Sequence, residues 1–395
     1  MKSERSWGRL GMKYKTYTME DALDAIIDYR GKTPKKSESG IPTLSAKTVR
    51  NNFIDYNNCY YISEEEYKRF MVRGFPKVGD ILLTTEAPLG MTAKLNRADV
   101  AIAQRLLTLR GKADILDNDY LLYFLQSPKG QHLLKSHETG TTVTGIKQAV
   151  FRKLEISIPS ITVQKQIAMV LSSIDEKISV NTKINENLEQ QAQAIYTEMF
   201  IDNALEAWQT GTLSDIAAIT MGQSPKGDTL NDTGKGDVFY QGRTDFGFRF
   251  PTRRLYTTEP KRIALYGDAL MSVRAPVGDL NVAYEECCIG RGLAAIHSRD
   301  NHQSFVLYTL FALKRHLDVF NGEGTVFGSI NKDSLNSIGI TIPPIELVDK
   351  FESIVNPIDR AILNNYEEIC RLQSIRDSLL PKLMNGEIDV SQVKI

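Results

Sequence analysis

The chain has 395 residues, of which 48 are basic and 48 acidic, so its formal net charge is zero. At roughly 100–200 residues per domain, this length predicts two or three domains. The balanced charge excludes a uniformly basic nucleic-acid binder but leaves local basic patches open. The sequence has no apolar run near the roughly 18 residues of a transmembrane helix, no signal peptide and no C-x-x-C pair. We therefore expect a cytoplasmic protein that does not contact a membrane.

Motifs of common enzyme sites are missing from this sequence. It contains no G-x-x-x-x-G-K-[ST] phosphate loop, no H-E-x-x-H zinc helix, no G-x-S-x-G nucleophile turn and no N-P-P-aromatic string of amino-methyltransferases. A G-x-G-x-x-A string begins at Gly290, but it runs into AIHSRDN, which predicts a strand and a loop where a dinucleotide site requires a helix. The five histidines lack metal-ligand spacing. We expect no catalytic residue, no metal site and no cofactor bound by this chain.

The sequence contains an internal repeat. GKTPK at Gly31 returns as GQSPK at Gly222, an offset of 191 residues, and GDILLTTEAPLG at Gly79 returns as GDALMSVRAPVG at Gly267, an offset of 188. GTTVTGIKQAVFRKLEISIPSI at Gly140 then returns 184 residues later as GTVFGSINKDSLNSIGITIPPI. The offset drifts in small steps, as loop insertions in two copies of one domain would produce. The repeat predicts two copies of one domain.

Each copy is predicted to have the same elements in the same order. A short amphipathic segment leads through a Gly/Pro turn into short strands, then into a short helix and a strand that ends in proline. Representative predicted segments are 19–27, 80–85, 119–125 and 154–159 in the first copy, and 213–219, 268–273, 303–315 and 338–343 in the second. Because no strand–helix–strand rhythm repeats, we expect an α+β fold with a mixed or antiparallel sheet in each copy, related by a pseudo-two-fold internal repeat.

After each proline-ended strand, apolar residues recur alternately every three and four residues, which is typical of a coiled coil. Each predicted helix would span about 35 residues, on the order of 50 Å. A helix of this length requires a partner face, so we expect the two helices to pair antiparallel and to separate the two domains. The residues expected to pair are Ile174, Ile178, Asn181, Leu188, Ile195, Ile358, Ile362, Asn365, Leu372 and Leu379. The equivalent asparagines either fix the register of the helices or lie partly exposed beside the seam.

Basic residues cluster in one predicted loop of each copy. Between Tyr29 and Arg50 the chain has six basic residues and one acidic residue, and between Arg243 and Arg262 it has six and two. Interleaved Gly, Pro and aromatic residues suit contacts with phosphates and exposed bases, and nearby Arg and Gln suit guanine and adenine edges. The candidate DNA-binding residues are Arg30, Lys32, Lys35, Lys36, Lys47, Arg50, Gln104, Arg105, Thr142, Thr144, Lys147, Gln223, Lys226, Gln241, Arg243, Arg249, Arg253, Arg254, Arg274, Arg291 and Lys332. The alternative for each is a helix cap or a solvated side chain.

Taken in order, these motifs resemble the specificity subunit of a type I restriction–modification system over nearly the whole chain. The resemblance is carried by GKTPK with GQSPK, GDILLTTEAPLG with GDALMSVRAPVG, GTTVTGI with GTVFGSI, the junctions PSITVQKQIAMVLSSIDEKI and PPIELVDKFESIVNPIDRAI, and the ending LLPKLMNGEI. It implies two target-recognition domains that each read one half of a bipartite asymmetric DNA site. It also implies that the helices set the gap and dock two methyltransferase subunits.

The resemblance has further implications for partners and boundaries. S-adenosylmethionine would be bound by the methyltransferase partners, ATP and Mg by restriction/translocase partners, and this chain would not be catalytic. The expected segments are an extension (1–12), target-recognition domain 1 (13–160), a central spacer helix (161–202), target-recognition domain 2 (203–344), a C-terminal spacer helix (345–385) and a tail (386–395).

The two copies differ most at residues 41–77 and 238–262. Because identical domains would read a palindrome, we expect these divergent stretches to carry the reading surface. Two other functions remain open at this point. One is a scaffold whose two homologous domains bind protein rather than DNA, and the other is an enzyme whose active site lacks a familiar motif.

Overall fold

The structure, a computed structural model, describes residues 5–6, 13–140, 144–321 and 328–393. Contacts divide the chain into unit 1, formed by Met1–Val180 and Glu368–Ile395, and unit 2, formed by Asn181–Glu367. This division cuts both long helices, so the six segments expected from the sequence stay predictions.

Unit 1 is built from short strands and short helices. Its strands are β1 (Arg5–Ser6), β2 (Lys13–Thr18), β3 (Leu23–Asp28), β4 (Ile41–Leu44), β5 (Val49–Arg50), β6 (Phe53–Ile54), β7 (Tyr60–Ile62), β8 (Ile81–Thr84), β9 (Thr92–Lys94), β10 (Ala101–Ile102), β11 (Leu106–Gly111) and β12 (Glu155–Ile158). Its helices are α1 (Met19–Ala22), α2 (Glu64–Phe70), α3 (Asn118–Gln126), α4 (Pro128–Lys135), α5 (Gln148–Lys153), the first part of α6 (Ile161–Thr197) and the end of α11 (Ile345–Met384), with a 3-10 turn at Tyr56–Asn58.

An antiparallel sheet of order β3-β11-β8-β9 is buried on both faces. Successive residues of β8 point to opposite faces, so Ile81 and Leu83 join the core that contains α3, whereas Leu82 joins a second core. This is why the residues Ile81–Leu83 of β8 form a continuous apolar run instead of alternating with polar residues. The second core also receives residues of the sheet β10-β4-β7, in which β10 and β4 are parallel. The remaining sheets are β1-β2-β12 and β5-β6.

The helices of unit 1 begin where polar side chains satisfy free backbone N–H groups. Asp117 Oδ1 accepts a hydrogen bond from Tyr120 N at 3.0 Å and starts α3, and Ser127 Oγ accepts one from Gly130 N at 3.1 Å and starts α4. Pro128 occupies the first turn of α4, where its missing N–H costs nothing. These caps separate two helices whose buried hydrophobic residues belong to the same apolar core.

Unit 2 contains the corresponding elements of the second copy. Its strands are β13 (Gln209–Thr212), β14 (Ala217–Met221), β15 (Leu230–Asn231), β16 (Asp237–Tyr240), β17 (Leu255–Thr257), β18 (Ile263–Ala264), β19 (Ala269–Ser272), β20 (Leu280–Val282), β21 (Cys287–Ile289), β22 (Leu293–Ser298) and β23 (Gly339–Ile342). Its helices are the rest of α6, α7 (Leu213–Ile216), α8 (Gln303–Ala312), α9 (Lys314–Asp318), α10 (Lys332–Asn336) and the first part of α11 (Ile345–Met384). Single turns lie at Glu198–Asp202 (a π-helix) and at Gly227–Thr229, Arg243–Asp245 and Val319–Asn321 (3-10 helices).

The sheets of unit 2 repeat those of unit 1. The sheet β14-β22-β19-β20 matches β3-β11-β8-β9, and a five-stranded sheet of order β15-β17-β16-β21-β18 contains the parallel pair β16 and β21. In β19, Ala269 and Met271 join one core and Leu270 the other, as in β8. The third sheet of unit 2 is β13-β23.

The α+β fold with two similar domains of mixed sheets and two long helices is therefore confirmed. The structure adds detail to the first segment of each copy. The amphipathic segments 19–27 and 213–219 each split into one helical turn, α1 or α7, followed by strand β3 or β14. The second part of each segment is a strand because β3 and β14 pair with β11 and β22 along nearly their full length, at the edge of each sheet.

The long helices pack against each other antiparallel within each unit. In unit 2, Tyr196 of α6 and Phe200 of the π-helix that follows it contact Phe351 of α11 and Phe305 of α8, with ring centroids 5.0–5.9 Å apart. Farther along the same pair, Asn365 Nδ2 donates to Asn185 Oδ1 at 2.8 Å, and Asn185 Nδ2 donates to Ile362 O at 3.1 Å.

In unit 1, Ile167 and Leu171 of α6 share a core with Leu383 of α11, and Arg376 forms an ion pair with Asp175 at 2.9 Å. Of the ten residues expected to pair, Asn181 and Ile362 are buried. The other eight are half-buried: Ile174, Ile178, Leu188, Ile195, Ile358, Asn365, Leu372 and Leu379.

Candidate nucleic-acid interface

A polar corner of unit 1 forms where the turn after β8 meets the start of β11. Glu86 forms an ion pair with Arg105 at 2.6 Å, and its other carboxylate oxygen lies 3.9 Å from Arg30 Nη2. The same Nη2 donates to Thr85 Oγ1 at 3.3 Å and to Ile146 O at 3.2 Å. Gln104 Nε2 donates to Thr33 Oγ1. Three sequence candidates, Arg30, Gln104 and Arg105, thus lie together with Glu86, and we call these four residues the unit 1 corner.

The other basic candidates of unit 1 are exposed. Lys36 Nζ lies 4.9 Å from the centre of the Tyr60 ring, a cation–π contact that orients the lysine while its charge stays accessible. Arg50 Nη1 donates to the carbonyl of Lys47 at 3.0 Å, which holds the guanidinium against its own loop. The exposed candidates are Lys32, Lys35, Lys36, Lys47, Arg50, Thr144 and Lys147. Thr142 lies outside the described residues.

A carboxylate fixes the loop that carries two of these lysines. Glu66 Oε1 accepts a hydrogen bond from Lys35 N at 3.0 Å, and Glu66 Oε2 pairs with Arg69 at 2.6 Å. The Lys35 N–H, followed by the Arg69 guanidinium, holds the pKa of Glu66 below its ordinary value. The Lys35 backbone is therefore anchored while its side chain remains exposed.

The corresponding corner of unit 2 lies at the turn after β19 and the start of β22. Arg274 is exposed, and its backbone bridges to Ser329, as that of Glu86 bridges to Gly145. Arg291 N donates to Ser224 Oγ at 3.3 Å, and Ser224 is the repeat equivalent of Thr33. The candidates Gln223, Lys226, Gln241, Arg274, Arg291 and Lys332 are all exposed. We call Ser224, Arg274 and Arg291 the unit 2 corner.

Three arginines of the second basic loop are paired with carboxylates. Arg243 pairs with Asp279 at 2.8 Å, Arg253 with Glu285 at 2.5 Å and Arg254 with Asp245 at 2.9 Å. Each guanidinium side chain remains about half exposed. The local positive charge of this loop is therefore lower than its sequence count suggests, although each arginine keeps exposed N–H donors.

Arg249 does not belong to the exposed surface, and the expectation that it contacts DNA was wrong. Its side chain is 4% exposed and forms ion pairs with Glu189 of α6 at 3.1 Å and with Asp359 of α11 at 3.6 Å. Its Nη2 donates to Tyr308 Oη at 2.9 Å. Two carboxylates from distant parts of the sequence draw this guanidinium into the protein, where it joins the domain to both helices.

Glu86 was not among the DNA-binding residues predicted from the sequence, because those candidates were cations, amides and hydroxyls. A repeated tie between domain and helix was also not predicted. Tyr123 Oη donates to Asp175, and Tyr308 Oη donates to Asp359, both at 2.8 Å. Tyr123 and Tyr308 are 185 residues apart, and Asp175 and Asp359 are 184 residues apart. Alignment of the two copies therefore matches both residues of one tie with both residues of the other.

Two negative findings apply to the described part of the chain. Its helices include none long and apolar enough to cross a membrane. Its His, Cys, Asp and Glu side chains form no group of three or more that could hold a metal ion.

Comparisons with known proteins bear on the family. The sequence profile described as "Type I restriction modification DNA specificity domain" matches residues 13–190 and again residues 206–369. The chain is 29% identical to the type I restriction enzyme MjaX specificity subunit of Methanocaldococcus jannaschii, over 97% of this chain and 95% of the relative. It is 27% identical to the MjaIX specificity subunit of the same organism, over 89% and 88% of the two chains.

A solved structure supports the fold. The type I restriction–modification S subunit from M. genitalium superposes with a TM-score of 0.59, at 17% identity, over 94% of this chain and 96% of that chain. The two profile matches coincide with the two copies of the repeat and cover most of the sequence. The chain therefore belongs to the type I restriction–modification DNA specificity family, whose members are the non-catalytic, DNA-recognition subunits of these systems.

Proposed function

We propose that each unit contributes one target-recognition domain that reads one half of a bipartite asymmetric DNA site. The observation that carries this proposal is the pair of corners, which occupy equivalent places in two copies of one domain but present different side chains. Equivalent placement gives both domains the same approach to a duplex. Different side chains give each domain its own base preference, as an asymmetric site requires.

The exposed cations around the corners are suited to the phosphate backbone. Lys32, Lys35, Lys36 and Lys47 belong to unit 1, and Lys226 and Lys332 belong to unit 2. Lysine ammonium groups neutralise phosphates without reading sequence, and they release counterions when they bind. Their role is to position each domain, whereas side chains of the two corners contact bases.

The partners of this chain follow from the same proposal. The long helices dock two methyltransferase subunits, which bind S-adenosylmethionine, and they set the gap between the half-sites. Restriction/translocase subunits that use ATP and Mg complete the assembly in the cytoplasm. The chain itself binds none of these cofactors.

The proposal is tested on the complex of this chain with its methyltransferase subunits. Methylated sites are mapped in DNA from cells that carry the complex, and binding to a mapped site is measured against salt. We expect one bipartite site with two different half-sites and a fixed gap, and affinity that falls steeply as salt rises. Methylation without a defined site, or binding to protein instead of DNA, would favour the scaffold alternative.

A further inference from the structure

Two positions in the corners are equivalent in structure as well as in sequence. Thr85 N donates to Arg105 O, and Val273 N donates to Gly292 O, both at 2.9 Å. The next residue along the chain is Glu86 in unit 1 and Arg274 in unit 2, and each forms an isolated bridge to the loop that precedes α5 or α10. Positions 86 and 274 therefore hold the same place in two copies of one fold.

The backbone that presents these two residues is fixed in the same way in both units. Thr84 Oγ1 donates to Pro88 O at 2.6 Å and accepts from Met91 N at 2.9 Å. Ser272 Oγ donates to Pro276 O at 2.7 Å and accepts from Asp279 N at 2.9 Å. One hydroxyl thus ties the start of each turn to its end. A turn held in this way can present a side chain to a ligand in a constant position.

The charge at these positions is opposite. Glu86 is held between two guanidinium groups, Arg30 and Arg105, whose repeat equivalents in unit 2 are Met221 and Gly292. Arg274 is exposed, and among the described residues no carboxylate lies within ion-pair distance of it. Unit 1 thus presents an oriented acceptor, and unit 2 presents an exposed guanidinium donor, at the same place.

From this arrangement we infer that positions 86 and 274 read bases in the two half-sites. Glu86 accepts a hydrogen bond from the exocyclic amine of a cytosine, and Arg274 donates to the N7 and O6 of a guanine. These are the pairings that carboxylate and guanidinium groups make in the major groove. The inference rests on the proposed function, because it assigns the bases that the two domains read.

The test compares four variants of the chain in the complex with its methyltransferase subunits. Arg274→Ala and Glu86→Gln change the two inferred positions. Arg299→Ala and Asp114→Ala are the controls. Both residues are exposed, and they lie beyond the ends of β22 and β11 that are farther from the corners. The probes are duplexes that contain the mapped site and each single base-pair change within it, and the measured quantity is the relative affinity.

We expect Arg274→Ala to lower the preference for guanine at one base pair of one half-site by about tenfold or more. We expect Glu86→Gln to lower the preference for cytosine at one base pair of the other half-site. The controls should retain the wild-type preferences. Retention of those preferences by Arg274→Ala and Glu86→Gln, or an equal loss of affinity for every duplex, would overturn the inference while leaving the proposed function intact. Failure of the wild-type complex to distinguish any of the duplexes would overturn both.

Discussion

Tyr123 and Asp175 tie the first domain to the first half of α6, through a hydrogen bond of 2.8 Å from Tyr123 Oη to Asp175 Oδ2. Tyr308 and Asp359 form the same tie between the second domain and α11. Burial raises the pKa of both tyrosines well above the ordinary value, so both hydroxyls keep their protons and donate. Each domain is therefore joined to its own helix in part by a buried, neutral donor.

The first prediction concerns this tie. Tyr308→Phe and Tyr123→Phe should each destabilise the protein by about 1–3 kcal/mol, because Asp359 or Asp175 loses a partner in a largely buried site. Urea denaturation followed by circular dichroism measures the effect. Tyr61→Phe is the control, since Tyr61 is exposed and should tolerate the change. Equal stability of all three variants would contradict the importance of the tie.

The second prediction concerns the pH dependence of the buried ion pairs of Arg249. Burial raises the pKa of Glu189, and the charge of Arg249 lowers it in part. A carboxyl group with a raised folded-state pKa costs stability as the pH rises through that pKa, because the ionised form is disfavoured in the protein. Removing the arginine increases this cost.

Arg249→Met should therefore lose about 3–5 kcal/mol near neutral pH, because it leaves Glu189 and Asp359 without their cation. The loss should shrink at acidic pH, because protonation of Glu189 removes one of the two uncompensated negative charges. Adding Glu189→Gln to Arg249→Met should remove most of this pH dependence. Unfolding measured at neutral and at acidic pH checks the sign, and a loss that grows toward acid would contradict it.

The fate of Arg249 also shows where prediction from sequence ends. The repeat, the two long helices and the apolar central strands could be predicted because each leaves a periodic signal along the chain. The burial of Arg249 depends on Glu189 and Asp359, which lie 60 and 110 residues away and reach it only after folding. Nothing in the basic loop itself distinguishes Arg249 from the exposed Arg253 and Arg254.

The third prediction compares two isoleucines of α11. Ile362 is 1% exposed, whereas Ile354 is 40% exposed on the same helix. Ile362→Asp should destabilise unit 2 by several kcal/mol because it buries an unpaired carboxylate, and Ile354→Asp should have little effect. Thermal unfolding of the two variants gives the comparison directly. Similar melting temperatures would mean that this face of α11 is not packed.

The fourth prediction concerns the reactivity of the cysteines. Burial raises the pKa of the Cys287 thiol to about 12, and Cys287 is 0% exposed in β21. Cys370 lies exposed on α11. Because the thiolate is the reactive form, alkylation of the native protein at pH 8 should modify Cys370 rapidly and Cys287 only after unfolding. Mass spectrometry of peptides identifies the modified residue, and early modification of Cys287 would show that β21 opens readily.

The fifth prediction concerns the amide pair within the helix seam of unit 2. Asn185 accepts a hydrogen bond from Asn365 and donates one to Ile362 O, so both the oxygen and the nitrogen of its side-chain amide have a partner. Asn185→Leu alone should destabilise unit 2 by about 1–3 kcal/mol, since the Asn365 amide is left without its acceptor. The double variant Asn185→Leu with Asn365→Leu should recover part of that loss, because an apolar pair leaves no amide unsatisfied.

A double-mutant cycle measures the coupling, which should favour the native asparagine pair by about 1 kcal/mol or more. Strict additivity would mean that the two amides are independently solvated and do not fix the register of the helices.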